Sequence, residues 1–426
     1  MSNPTFKFII PNLSFGKVST DKRGMNRMKW WLLMGCILVL SIPACRPKPA
    51  PPTPTAIPAP TQAPTLPPEP TPTPIESVTL VKSSQSFLPT FTYQIGLGDL
   101  DSDGDLDAVF SNMRNNPSVV LLNEGNGQFV ESGQLLTDQA HGIALGDLDR
   151  DGDLDLFITC ANLGSGDGSN AKPSLVYFNN GRGAFQESSQ DLGDTELSGN
   201  DVNLIDVDGD GDLDAHVVYI PDPDKVYLND GAGFFGESGI GVPDNVTWGD
   251  LNGDGAIDLF VKEIDHGYKT MLNDGSGFFI DYWQMADSSV KMGDVSLADF
   301  DGDGDLDALV ANGLRSGDQP TTFLLNDGTG SFTLSGQKLN TTNGASLAAG
   351  DLNRDGHLDV FISNSQRPNE IWVSYGGGNF LDTGIKLGGY DQTTKVSLGD
   401  LDNDGDLDIF IGSLSGGAEM WYNQKY

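Results

Sequence analysis

Cysteine is too scarce in this chain to frame a fold. Of three cysteines, Cys36 and Cys45 sit in the N-terminal apolar region, which leaves Cys160 alone in the body of the protein. A single thiol cannot close an internal bridge, so no disulfide framework supports the fold. Histidine is as sparse: His141, His216, His266 and His357 are scattered without the spacing of zinc ligands. Positive charge is short as well, with 24 Lys and Arg against 60 Asp and Glu and a formal net charge of −36. Such a surface repels phosphate, which excludes nucleic acid as a partner and calls for cations instead. The apolar run at residues 30–42 falls short of the roughly 20 residues that a comfortable membrane-spanning helix needs. The motifs Gly-x-Ser-x-Gly and His-Glu-x-x-His are absent too. What remains is 38% apolar residues in short regular runs, enough for a packed core despite the acidity.

The N-terminus reads as an address. Lys22, Arg23, Arg27 and Lys29 precede the apolar run, which ends Ser41-Ile42-Pro43-Ala44-Cys45. A basic segment, a short apolar segment and a small residue before the cut describe a secretory signal over residues 1–45. Ile42-Pro43-Ala44-Cys45 resembles a bacterial lipobox, with Pro43 departing from the small or hydroxyl residue usual there. The resemblance implies lipidation at Cys45 and an extracytoplasmic, membrane-anchored lipoprotein; ordinary secretion is the alternative. Residues 46–75 are almost entirely Pro, Thr and Ala. Such a segment buries no core and favours extended polyproline II geometry, about 3.1 Å per residue, so it reads as a disordered, semi-rigid linker.

Residues 76–426 are built on a repeat. The pattern Asp-x-Asp/Asn-x-Asp-Gly-x-Leu/Ile-Asp begins at Asp99, Asp147, Asp206, Asp250, Asp299, Asp351 and Asp400. A second signal follows the first five, from Leu122-Asn123-Glu124-Gly125 to Leu325-Asn326-Asp327-Gly328, and degenerates in the sixth to Val373-Ser374-Tyr375-Gly376. Apolar runs broken by Asn-Asp-Gly are hairpin signals. Each unit therefore reads as four short strands, in the second unit 143–146, 154–159, 175–178 and 184–187. The second strands are nearly continuous in apolar residues, as in Leu156-Phe157-Ile158, which requires burial on both faces. Four-stranded units recurring about every 50 residues describe an all-β fold, a seven-bladed β-propeller. The last unit stops at Met420-Trp421-Tyr422-Asn423 without a fourth strand, and Val78-Thr79-Leu80-Val81 is a spare strand before the first loop. Residues 78–82 are thus expected to complete the last blade.

The acidic loops have the chemistry of calcium, up to seven ions. Calcium takes six to eight oxygens at about 2.3–2.6 Å in forgiving geometry. Position one of the loops is Asp99, Asp147, Asp206, Asp250, Asp299, Asp351 and Asp400. Position three is Asp101, Asp149, Asp208, Asn252, Asp301, Asn353 and Asp402, and position five is Asp103, Asp151, Asp210, Asp254, Asp303, Asp355 and Asp404. Position seven, offering its backbone carbonyl, varies freely: Asp105, Asp153, Asp212, Ala256, Asp305, His357 and Asp406. Position nine is Asp107, Asp155, Asp214, Asp258, Asp307, Asp359 and Asp408. Glycine at position six permits the turn that brings the later ligands back. An EF-hand needs Glu at position twelve, and here that position is apolar, Phe110, Ile158, Val217, Val261, Val310, Ile362 and Ile411. The competing reading, Asp as mere turn-capping residues, leaves the crowding of carboxylates unexplained. The two loops with Asn at position three carry less charge and are expected to bind more weakly, and affinities of about 0.1–1 mM suit an extracellular module.

The loops and the spelling Gly-Asp-Leu-Asp-x-Asp-Gly-Asp-Leu-Asp resemble FG-GAP/VCBS repeats, related to the propeller of integrin α-subunits. The resemblance covers about residues 78–426; the third repeat departs from it, with Leu204-Ile205 before Asp206. It implies calcium at the blade edges on one face of a seven-bladed ring and ligand binding on the opposite face. On that opposite face fall variable connections such as 113–116, 164–172, 219–225, 265–268, 314–319 and 366–367, with Tyr219, Tyr268 and Tyr390 as candidate contacts. The expectation is a monomeric, calcium-stabilised, adhesion-like module at the cell surface, binding a protein or a carbohydrate and not catalytic. The alternative is a polysaccharide lyase or glycosidase, whose carboxylate pair would have to hide among the Asp residues already assigned to calcium.

Overall fold

The computed structural model describes residues 77–424, apart from 88–90, 113–115, 162–171, 193–196, 292, 313–318, 340–343, 365–366, 389–392 and 415–416. The expected signal sequence with Cys45, the expected linker, Tyr390 and most of 164–172 and 314–319 lie outside the described residues. The described chain forms seven antiparallel four-stranded sheets, the blades of a propeller. Blades one to six span 92–135, 140–187, 199–237, 246–286, 295–339 and 344–387. Blade seven joins both ends of the domain: Thr393–Gly399, Asp408–Ser413 and Glu419–Asn423 are completed by Leu80–Lys82. The register of that closure is antiparallel, Leu80 opposite Asn423 and Lys82 opposite Trp421, as the truncated last unit implied.

Within each blade the first strand lies nearest the axis, where neighbouring first strands pack together, and the fourth is the outer edge. Second strands such as Asp107–Asn112, Asp155–Cys160 and Asp359–Asn364 are buried throughout, because a neighbouring blade covers each of their faces. The second unit follows its sequence pattern with three adjustments, the second strand lying one residue later at Asp155–Cys160. Its first strand starts earlier, Ala140–Gly146, and its fourth shrinks to Gln186–Glu187.

The seams between blades explain the spelling of the repeat. A Cβ on Gly98 would meet Leu154 Cδ1 of the next blade at 2.6 Å, one on Gly146 would meet Leu213 at 2.7 Å, and one on Gly399 would meet Leu106 at 2.7 Å. The glycine before five of the loops is therefore the socket for the position-eight leucine of the following blade. Close-packed seams tolerate no added methyl here without a shift. Blade three carries Ile205 and blade five Ala298 in place of the socket glycine, and blade four carries Ile257 in place of the leucine. The two isoleucines fall at the same seam.

Candidate metal loops

All seven loops close in the same way. The position-one carboxylate accepts the N–H of the position-six glycine, for example Gly104 to Asp99 at 3.1 Å, Gly211 to Asp206 at 3.0 Å and Gly405 to Asp400 at 2.9 Å. That glycine has φ +96° in the first loop and +84° in the last, a conformation that side chains rarely adopt. The turn brings carboxylates together. One oxygen each of Asp99, Asp101 and Asp107 lie within 4.8 Å of one another, as do those of Asp147, Asp149 and Asp155. Asp206, Asp208 and Asp210, then Asp299, Asp301 and Asp303, then Asp400, Asp402 and Asp404 form three more such groups. This spacing suits oxygens on opposite sides of one calcium ion. In the loops with asparagine, the amide instead donates within its own loop, Asn252 to Asp254 at 2.9 Å and Asn353 to Asp355 at 3.1 Å.

Turn-capping alone does not account for these groups. Asp101 Oδ1, Asp147 Oδ1, Asp208 Oδ1 and Asp400 Oδ1 are shielded from solvent and accept no hydrogen bond. Buried carboxylate oxygens are costly unless paired, so the donor set fits a hard cation. Burial pushes Asp101, Asp149, Asp208, Asp301 and Asp402 above the usual carboxylate range, and the charge of the neighbouring position-five Asp adds to it.

Position nine has a structural role that its ligand reading did not include. Asp107 accepts from Leu100 N–H at 2.9 Å with one oxygen and from Asn123 N–H at 2.7 Å with the other. The same clamp between loop and hairpin recurs at Asp155, Asp214, Asp258, Asp307, Asp359 and Asp408. Burial raises these groups against the opposing pull of the two amides, to about 6 for Asp107, Asp155 and Asp214 and about 7 for Asp307, Asp359 and Asp408.

The hairpin asparagine, read from sequence only as a turn signal, is a tie between blades. Asn229 Nδ2 donates to Leu213 O in its own loop at 3.2 Å and to Leu148 O of the preceding blade at 2.8 Å. The cross-blade bond is repeated from Asn123 to Leu401, Asn179 to Leu100, Asn273 to Val207, Asn326 to Leu251 and Asn423 to Leu352. In blade six the residue is Ser374, whose hydroxyl serves, among the described residues, as an acceptor for Gly376 N–H.

Residues 99–158, 206–261, 250–310, 299–362 and 351–411 match the FG-GAP-like repeat family, and between them these stretches include all seven loops. The chain belongs to that family. Two crystal structures of BBS1N in complex with ARL6DN, soaked with mercury and with lead, share the fold of this FG-GAP propeller. They are 12% and 11% identical to it with TM-scores of 0.52 and 0.51, and each match covers 81% of this chain and 96% of the other. No curated protein matches the chain.

Position seven of the FG-GAP loops is less free than its variability suggested. In blades one, two, three, five and six its side chain lies over the hairpin glycine, so that a Cβ on Gly181 would meet Asp153 at 2.6 Å and one on Gly376 would meet the His357 ring at 3.0 Å. At three seams it is also gripped by position four of the preceding loop: Arg150 pairs with Asp212, Arg354 with Asp406, and Asn403 Nδ2 donates to Asp105. Arg354 also donates to Asp404 O at 3.0 Å. These ties are invisible locally because their partners lie in different repeats.

At the other end of the first strands, a polar network crosses the axis. Gln94 donates to Asp201 at 2.7 Å, and Asp294 accepts from Ser346 at 3.0 Å and Lys395 at 3.3 Å. Asp294 holds Lys395 above the usual ammonium range, while burial lowers Lys262 to about 8. Two of the aromatic candidates for contact are core residues instead. Tyr219 is buried with its hydroxyl 3.0 Å from that of Tyr227, and Tyr268 is fully buried beside Phe260.

Proposed function

We propose that this FG-GAP propeller is a calcium-stabilised interaction module that presents the face opposite its acidic loops to a protein partner. The shielded, unpartnered oxygens of Asp101, Asp147, Asp208 and Asp400 carry the calcium part of the reading. Positions one, three and five would hold the ion through carboxylates, position seven through its carbonyl, and position nine through lone pairs left over from its amide clamp. The ion supplies charge neutralisation at the seams, where the loops, the hairpin asparagines and the socket glycines meet. Its role is structural.

A protein partner is favoured over a carbohydrate because BBS1N, a propeller of this fold, is in complex with ARL6DN. Fold alone links the two proteins. Calorimetric titration of the EDTA-treated protein with calcium tests the first part: uptake of several ions with a rise in melting temperature is expected, and heat-silent titration would defeat it. Pull-down against a glycan array and against extracellular proteins tests the second. Retention of glycans alone would replace the protein partner with a sugar. The surface location and the lipid at Cys45 belong to the same proposal, checked by metabolic labelling with a fatty acid in wild type and Cys45→Ser.

A further inference from the structure

Every blade presents an outer edge strand, and such edges invite pairing unless they are short, bulged or charged. In this ring, blades two, three and seven use the short strands Gln186–Glu187, Phe235–Glu237 and Leu80–Lys82. Blades one, five and six interrupt theirs near Gly133, Gly336 and Gly384, with φ of +81°, +83° and +73°, where the register skips. Blade four is neither short nor interrupted at a glycine, and its one irregularity is a single-residue bulge. Its outer strand, Phe279–Ala286, pairs from Asn273 opposite Phe279 to Gly267 opposite Ala286, with Tyr282 as the extra residue. It exposes Ile280 at 56% and Tyr282 at 51%, and Phe278 just before it at 61%. Beside this edge lies an open hollow of about 390 Å³ lined by Glu263, Lys269, Asp281, Tyr282, Trp283 and Gln284. Lys269 stands loosely between the two carboxylates, 3.6 Å from Glu263 and 3.5 Å from Asp281.

We propose that the outer edge of blade four binds an extended, basic peptide segment of a partner protein as a fifth strand. Backbone pairing along Phe279–Ala286 would supply affinity, with Phe278, Ile280 and Tyr282 covering alternate apolar side chains. The hollow would take a lysine or arginine between Glu263 and Asp281, adding the second cation that the pair lacks. Charge selects this occupant over a second copy, because each copy brings a net charge of −36 to the contact. The site lies on the rim and does not depend on the reading of the far face.

The test uses the full chain in calcium and a fluorescein-labelled peptide alternating lysine with valine, followed by anisotropy at physiological salt. The expected result is saturable binding, weakened about tenfold in the double variant Ile280→Lys with Tyr282→Lys. The equally charged control Val130→Lys with Leu381→Lys, on the edges of blades one and six, should bind as wild type does. Equal weakening in both pairs would reduce the interaction to bulk charge and overturn the proposal. So would equal binding of a peptide with glutamate in place of lysine. Asp281→Asn, at an exposed position, supplies a variant that keeps the apolar edge; it should weaken lysine peptides and leave a serine-valine peptide unaffected, and the reverse would also overturn the assignment.

Discussion

Removing one hairpin asparagine isolates the bond that joins one blade to the next. In Asn229→Ala the side chain lost is buried and makes four hydrogen bonds. Its amide donates to Leu148 O at 2.8 Å and Leu213 O at 3.2 Å, and its oxygen accepts from Gly231 N–H at 3.2 Å and Gly233 N–H at 3.0 Å. A typical bond contributes about 1 kcal/mol net, and a buried group left without a partner costs about 1–3 kcal/mol. Leu148 O and Gly233 N–H are buried, so they are the groups left stranded, whereas Leu213 O and Gly231 N–H lie nearer water. A loss of roughly 3–4 kcal/mol follows. Ser374→Ala is the matched comparison, since among the described residues it deletes only the bond from Gly376 N–H at 3.2 Å, and roughly 1 kcal/mol is expected. Urea titration in excess calcium, followed by tryptophan fluorescence and far-ultraviolet dichroism together, gives both values if the two probes coincide. Equal costs for the two substitutions would show that the cross-blade bond contributes nothing and refute the reasoning.

The metal-free protein should grow more stable as pH falls from about 7 towards 4. Folded Asp307, Asp359 and Asp408 hold their protons up to about 7, while unfolded carboxylates release them near 4. The folded state therefore binds more protons in that window, and stability is lost as pH rises through it. Calcium should invert the trend, because protons then compete with the ion; parallel melting curves with calcium and with EDTA check the sign. Deleting residues 76–84 removes the strand opposite Glu419–Asn423 and should cost the domain cooperative unfolding in a single step, which calorimetry of both forms checks. Arg150→Ala should lower calcium affinity at the third loop and leave the fifth unaffected, readable by terbium luminescence in variants that keep one of the two loops intact.

The acidic groups that could hold a metal ion were legible in the sequence because they depend on atoms at fixed local spacing, and the ring closure because the repeat is counted along the chain. Asp99, Asp101 and Asp107 must be two and six residues apart to meet, and a unit that stops at Asn423 must borrow a strand from elsewhere. The seams were less legible. Asn229 looks like half of a turn signal, and its partner Leu148 lies 81 residues away. The grip of Arg150 on Asp212 likewise joins two repeats that read as independent. Tyr219 and Tyr268 were misplaced because connections on the open face were taken to be exposed, whereas a tyrosine next to a strand end can turn inward and find a buried hydroxyl or ring. The pairing of Ile205 with Ile257 at one seam was visible only as two separate departures from the repeat until the socket geometry joined them.

Closing blade seven with Leu80–Lys82 gives the ring a clasp of three residues made from the first and last strands of the domain. The ring therefore cannot shut during synthesis until the chain has been made through Asn423, and six blades must wait as an open arc. Once shut, any tension arriving through the residues before 77 falls first on that clasp. The propeller would then part at blade seven while the other six sheets stay whole, which makes that clasp its mechanical fuse.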